Sequence, residues 1–272
     1  MIDPAFARTW LMRSGRPSRR EEWAVPHDAD AFVIDVEDAV PGGEKRAALG
    51  ELRDWLGAGG AAWVRIDAFG SRHWAGAVDA LRGVRGLRGV VLAKTESAAD
   101  VSATAGELAG LPVVRLVESA RGLQRVDEIA AVPGVLRIGF GIGDFRRDTG
   151  VGASAVALAY PRGRIAVAST AAGLAGPIDG GAQGVAADSL RAQAEVALDV
   201  GFTGKFALLD SQLAPLNAAF APDEAQIAAA SELVRAVAAA PDELADGDAL
   251  PRLERARTLL ARATAYGLPV PA

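Results

Sequence analysis

The feature that most constrains this chain is a recurring pattern. Short β-branched apolar runs end abruptly in charge, and the lengths between them suit helices. VIDVED (33–38), WVRID (63–67), VVLAKTES (90–97), RLVESARG (115–122) and GFGIGDF (139–145) show it most clearly. A near-continuous apolar run is what a strand buried on both faces needs, and a parallel sheet covered by helices provides that burial. Ionisable residues at the end of one such strand have a packing explanation. At the ends of successive strands they make sense if those ends converge on one site.

Taken in order, strands are expected at 10–13, 31–38, 61–68, 89–95, 112–118, 136–144, 176–180 and 205–210. Helices are expected at 42–56, 73–84, 97–108 with Ser97 as a cap, and 189–200, and a brief one within 18–28. Leu123, Val126, Ile129 and Ala130 give a fifth helix one buried face. Around Pro161 the pattern predicts two helical pieces, 153–160 and 162–172. Eight strands alternating with helices fit a (β/α)₈ TIM barrel, an α/β fold, in count and in length. The alternative is a doubly wound open sheet, but so regular a series favours closure. Residues 213–272 read as helical, with helices at 224–240 and 250–265 and a polar linker and hinge at 241–248. The expected division is a barrel domain over 1–222 and a C-terminal helical extension over 223–272.

Of the 272 residues half are hydrophobic, which is ample for one large core. The net charge of −5, with Lys and Arg spread along the chain, argues against a nucleic-acid or anionic-membrane surface. Cysteine is absent and the only histidines are His27 and His73, so a bound metal must rest on carboxylates. Carboxylate oxygens point to Mg²⁺ or Mn²⁺. No basic-then-apolar leader is present and no run approaches a membrane span, so a cytoplasmic protein is expected.

In a parallel barrel the C-terminal strand ends form the active-site face. Glu118 and Asp144 end neighbouring predicted strands, about 4.8 Å apart, so both carboxylates can reach one divalent ion; the alternative is that each caps the helix that follows. Arg65 lies in an otherwise apolar strand, where burying it alone is costly. Its planar fork suits a substrate carboxylate such as that of an oxo acid, or else a structural pair with Glu37 or Asp38. By strand alternation Asp35 and Glu37 share a face and Asp38 points away. One of them can hydrogen-bond metal-bound water or fix Arg65, and any one can equally be structural. Lys94 and Glu96 are similarly open. Gly139, Gly141 and Gly143 do not form a dinucleotide fingerprint and more readily let the backbone approach a ligand. Arg13, Arg16, Arg19 and Arg20 can hold the phosphates of a large cofactor or form a solvated cluster.

These segments together resemble the citrate lyase β-chain-like proteins of the HpcH/HpaI aldolase/citrate lyase family, from about Trp10 to the end of the chain. WLMRSGRP (10–17) looks like a shortened Pro-Gly-Asp-Arg-Pro loop, and VIDVEDAVPGGEK (33–45) is similar to an Asp-Leu-Glu-Asp-Ala-Val segment with its downstream lysine, here Lys45. VRID (64–67), LAKTES (92–97), RLVESARG (115–122), GFGIGDFRRDTG (139–150) and GFTGKFALLDSQLAPLNAAFAP (201–222) resemble five further family motifs in the family order. The resemblance implies a (β/α)₈ barrel with C-terminal helices, often trimeric, in which Glu118 and Asp144 hold the metal and Arg65 the substrate carboxylate. It implies reversible carbon–carbon cleavage of a β-hydroxyacyl-CoA to an acetyl thioester and an oxo acid; Arg65, Glu37 and Asp38 are the catalytic candidates on the strand ends. Arg13, Arg16 and Lys45 are the accompanying substrate-binding candidates.

The chain departs from the family pattern in places. Leu209-Asp210 replaces His-Pro, Gly143 replaces the glutamate before the metal aspartate, and Leu49 replaces an arginine. Asp246-Gly-Asp-Ala-Leu-Pro251 is a shortened echo of a C-terminal motif whose last aspartate acts in a neighbouring subunit, with Asp248 the nearest catalytic candidate. The metal half of the site is thus better supported than its proton-handling half. An aldolase acting on pyruvate without coenzyme A and a non-catalytic metabolite-binding homologue are the rival expectations.

Overall fold

Residues 2–239 and 249–271 are described by the structure, a computed structural model. Eight parallel strands close into a barrel in sequence order: β1 (Thr9–Ser14), β2 (Ala31–Asp35), β3 (Ala62–Ile66), β4 (Leu87–Leu92), β5 (Val113–Val117), β6 (Val135–Phe140), β7 (Ile178–Asp179) and β8 (Gly204–Ala207). The circle closes where Thr9, Trp10 and Leu11 pair with Lys205, Phe206 and Ala207. Around it run α1 (Lys45–Gly57), α2 (Trp74–Leu81), α3 (Ala98–Glu107), α4 (Ala120–Gln124), α5 (Val126–Ala130), α6 (Ile142–Thr149), α7 (Ala155–Ala171) and α8 (Ala187–Asp199). Then come α9 (Leu213–Phe220), α10 (Glu224–Ala239) and α11 (Ala249–Ala265). The expected linker and hinge at 241–248 lies outside the described residues. None of the described helices is long and apolar enough to cross a membrane.

Strand alternation sorts the core into two layers. Trp10, Val33, Trp63, Val91, Val114, Leu116, Ile178 and Phe206 fill the barrel interior, with the Trp10 and Trp63 rings edge to face at 5.0 Å. Their neighbours Leu11, Ile34, Val64, Leu92, Val117 and Ala207 face outward and meet the helices in the larger outer core. At the N-terminal end Arg137 is fully buried and ties the lead-in to the wall. It donates to the carbonyls of Ala7 (2.6 Å) and Gly176 (2.6 Å) and to Thr203 Oγ1 (2.8 Å). The two-residue β7 is reinforced from outside: Asp179 accepts from Arg162 of α7 (2.9 Å) and from Lys205 of β8 (2.7 Å).

Several element ends differ from expectation, each for a local reason. β2 stops at Asp35, because that carboxylate captures the N–H groups of Glu37 (2.9 Å) and Ala39 (3.2 Å). The strand expected to reach Asp144 ends at Phe140; Phe145 N–H bonds the Gly141 carbonyl, so a helix has begun and Asp144 lies in the first turn of α6. β8 ends at Ala207 rather than Asp210, since the N–H groups of Leu208 and Leu209 turn to Gln212 Oε1. The helix expected after β5 is two short ones, α4 and α5. The two pieces expected around Pro161 are one helix, because Leu158, Pro161, Ile165 and Ala168 form one buried stripe through the proline.

Candidate active site

The C-terminal mouth of the barrel is built from β2 outward. Asp35 and Arg65 are register partners on adjacent strands and both face the interior, like Val33 and Trp63 before them. Arg65 Nε donates to Asp35 Oδ1 (2.8 Å) and Nη2 to Oδ2 (2.6 Å), a bidentate pair. Its third nitrogen, Nη1, lies 3.4 Å from Glu37 Oε2. Burial opposes the guanidinium charge, but Asp35, then Glu37 and Glu118, outweigh it and hold Arg65 above its ordinary range.

Glu118 follows β5 on the inward face set by Val114 and Leu116, and is buried. Its Oε1 accepts the Lys94 N–H at 2.7 Å. Its Oε2 lies over Gly141, where an added Cβ would meet it at 2.2 Å, so only glycine lets the carboxylate sit against the backbone. Glu118 does not cap the helix that follows; Ser119 does, accepting from Gly122 N–H at 3.1 Å. Burial pushes the Glu118 carboxyl up to about 8, against the Lys94 N–H and Arg65, with Asp144 and Glu37 adding to the rise. Asp144 presents a buried Oδ2 with no hydrogen-bond partner, while its Oδ1 pairs with the exposed Arg147 at 3.0 Å.

These groups line one cavity of about 330 Å³. Arg13, Asp35, Asp38, Arg65, Glu118 and Asp144 supply its polar wall, and Met12, Leu116, Phe140, Ile142, Phe206 and Leu208 its apolar wall. Of the residues singled out from the sequence, the mouth brings together Arg65, Asp35, Asp38, Arg13, Glu118 and Asp144. Glu37 is not on the lining; it bonds Lys94 Nζ and accepts the Asp38 N–H. Lys45 pairs with Asp67 and Arg16 faces Glu44 at 3.7 Å, both off the lining. Asp248 lies outside the described residues. Arg13 pairs with Asp210 (2.6 Å), one of the two residues standing in for the family's His-Pro. Sequence reasoning left undecided which acid fixes Arg65, and the β2–β3 register assigns it to Asp35. It passed over the apolar wall, whose signal was the inward alternation of Met12, Leu116 and Phe206.

Two carboxylates fit a hard divalent cation here. Among the described residues no cluster of three or more His, Cys, Asp or Glu is placed to hold a metal. Magnesium, however, often uses one or two carboxylates and completes its shell with water and substrate. The unpartnered Asp144 Oδ2, the glycine cradle under Glu118 and the mutual repulsion of the two carboxylates are what such an ion would resolve. Glu118 and Asp144 are the carboxylates that could hold such an ion, with the Arg65 guanidinium on the same cavity.

The HpcH/HpaI aldolase/citrate lyase family profile matches residues 18–209, and that of the HpcH/HpaI aldolase C-terminal domain matches residues 225–267. The chain is 32% identical to a citrate lyase subunit beta-like protein of Deinococcus radiodurans, across 94% of this chain and 97% of that one. It is 30% identical to a (3S)-malyl-CoA thioesterase of Cereibacter sphaeroides, across 84% of this chain and 82% of that one. Among solved structures it superposes on the CitE protein of Mycobacterium tuberculosis in complex with magnesium, acetoacetate and coenzyme A. There the TM-score is 0.75 and the identity 30%, across 96% of this chain and 99% of that one.

Proposed function

The chain belongs to the HpcH/HpaI aldolase/citrate lyase family, and on that premise we propose that it is a divalent-metal-dependent carbon–carbon lyase. Its substrate is a β-hydroxyacyl-CoA of the malyl, citramalyl or citryl type, cleaved to an acetyl thioester and an oxo acid. The observation that carries this reading is the pairing of Glu118 and Asp144 on one cavity with an arginine already fixed by Asp35. The relatives add weight: one is a malyl-CoA thioesterase, and the CitE structure holds magnesium, acetoacetate and coenzyme A.

The bonds balance simply. The substrate hydroxyl loses its proton, the C–C bond breaks, the oxygen becomes the oxo-acid carbonyl, and the electron pair leaves on the thioester α-carbon, which then takes a proton. Glu118 and Asp144 would hold a divalent ion, whose charge would polarise the oxygen that becomes the carbonyl. Arg65, with Asp35 holding two of its nitrogens, orients the departing oxo-acid carboxylate. Asp38 lines the cavity and is the available acceptor for the hydroxyl proton, with Glu37 positioning Arg65 and Lys94 behind it. Met12, Leu116 and Phe206 form an apolar wall of the same cavity, and the lower dielectric on that side strengthens the charge interactions facing it. Asp248, from the same subunit or a trimer partner, is the candidate proton donor to the α-carbon.

A second reading, aldol chemistry on free pyruvate without coenzyme A, is favoured by one observation. The first-loop arginines already have partners: Arg13 with Asp210, Arg16 with Glu44, Arg19 with Glu22 and Arg20 with Glu51. That leaves less free charge for coenzyme A phosphates. Cleavage assays on malyl-, citramalyl- and citryl-CoA with Mg²⁺ separate the two. Turnover of any one supports the lyase; inactivity on all three beside pyruvate aldol activity favours the second reading.

A further inference from the structure

Lys94 is the charged group of the mouth to which the lyase reading gives a place behind Asp38 but no chemical role. Its backbone is left-handed, with φ +46°, an uncommon conformation for a residue with a Cβ. By strand alternation it would follow Leu92 outward toward the helices. The turn instead sends its N–H to Glu118 Oε1 (2.7 Å) and its ammonium across the mouth. There Nζ bonds Glu37 and lies 3.5 Å from Asp38 Oδ1 and 3.6 Å from Asp144 Oδ2, the oxygen that has no hydrogen bond. Asp35 and Glu37 are matched by Arg65, and Arg147 reaches only the outer oxygen of Asp144, so the half-buried Lys94 ammonium is the cation nearest the inner oxygen of Asp144 among the described residues. Lysine is well suited to such a position, because its ammonium is a compact charge on a flexible stem, able to leave one carboxylate while keeping another.

We propose that Lys94 is a resident counter-cation of the candidate metal site, holding Asp144 in the metal-free protein and yielding it when a divalent ion enters. Lys94 then competes with the ion and lowers its affinity, keeping the site open to exchange. The inference rests on the metal reading of Glu118 and Asp144, and two substitutions separate it from that reading. Lys94→Met removes the ammonium and keeps the backbone; Lys94→Gly removes it and also relaxes the left-handed residue, while both retain the N–H that Glu118 accepts.

Mg²⁺ titration calorimetry on the full chain is the test, with thermal unfolding of the metal-free proteins beside it. Both variants are expected to bind Mg²⁺ about tenfold tighter, since a positive charge a few ångströms from the ion is gone. Metal-free Lys94→Met is expected to melt lower than the parent, and saturating Mg²⁺ to close that gap. A lysine that only braces the loop would lower affinity or leave it unchanged. That result, with binding still abolished by Glu118→Gln, overturns the counter-cation role alone. No Mg²⁺ binding by the parent or by either variant overturns the metal reading together with it.

Discussion

At the scale of single residues the mouth is a problem of charge in a low-dielectric place. Glu118 is the sharpest case, a carboxyl whose burial pushes it up to about 8 from the 4.5 of an exposed glutamate. In the metal-free protein the folded state therefore holds a proton that the unfolded state has released, across the window from about pH 4.5 to about 8. Stability linked to this group is fully present below that window and falls as pH rises through it. Urea unfolding from about pH 5 to about 9 should show this decline, and Glu118→Gln should flatten it. The charged residues that line the mouth were visible as charge at the ends of apolar runs, Glu118, Asp144 and Arg65 among them. Which acid serves Arg65 was not, because Asp35, Glu37 and Asp38 stand within four positions and only the pairing register chooses among them. The left-handed turn at Lys94 left no sign either, since no glycine marks it.

At the scale of elements the alternation of strand and helix was legible; most differences sit at the ends, while α6 was not foreseen and the helices after β5 and around Pro161 are divided differently. Side chains decide those ends. Asp35 and Gln212 capture backbone N–H groups that would otherwise extend β2 and β8, and an apolar stripe carries α7 through Pro161. Where the cap itself is local, sequence and structure agree: Ser97 accepts from Asp100 N–H (3.2 Å) and Asp100 returns the bond to Ser97 N–H (3.0 Å). This capping box opens α3 and closes the loop that carries Lys94 and Glu96. Ser97→Ala should cost about 1 kcal/mol in chemical denaturation. Because the loop also delivers the N–H that Glu118 accepts, the same variant should weaken Mg²⁺ binding modestly rather than abolish it.

At the scale of the whole molecule the barrel separates its functions along its axis. The C-terminal mouth carries charge, whereas the other end is closed by Trp10, Trp63 and the lead-in held by Arg137. Closure of the barrel was readable from the count of eight strands, and the family resemblance from the motifs in order. The plug was not, because Arg137 serves carbonyls of residues 7 and 176, which no local pattern connects. Arg137→Leu leaves those carbonyls without their donor in a buried place, and should destabilise the fold by about 3 kcal/mol. Mg²⁺ affinity should be unchanged in that variant, since nothing at the mouth touches it.

The central claim is that Glu118 and Asp144 form one divalent-cation site. Isothermal titration of the metal-free protein with Mg²⁺ or Mn²⁺, repeated on Glu118→Gln and Asp144→Asn, tests it most directly. The expected result is saturable binding at one ion per chain that disappears in each variant while both remain folded. Binding that persists unchanged in both would contradict the claim.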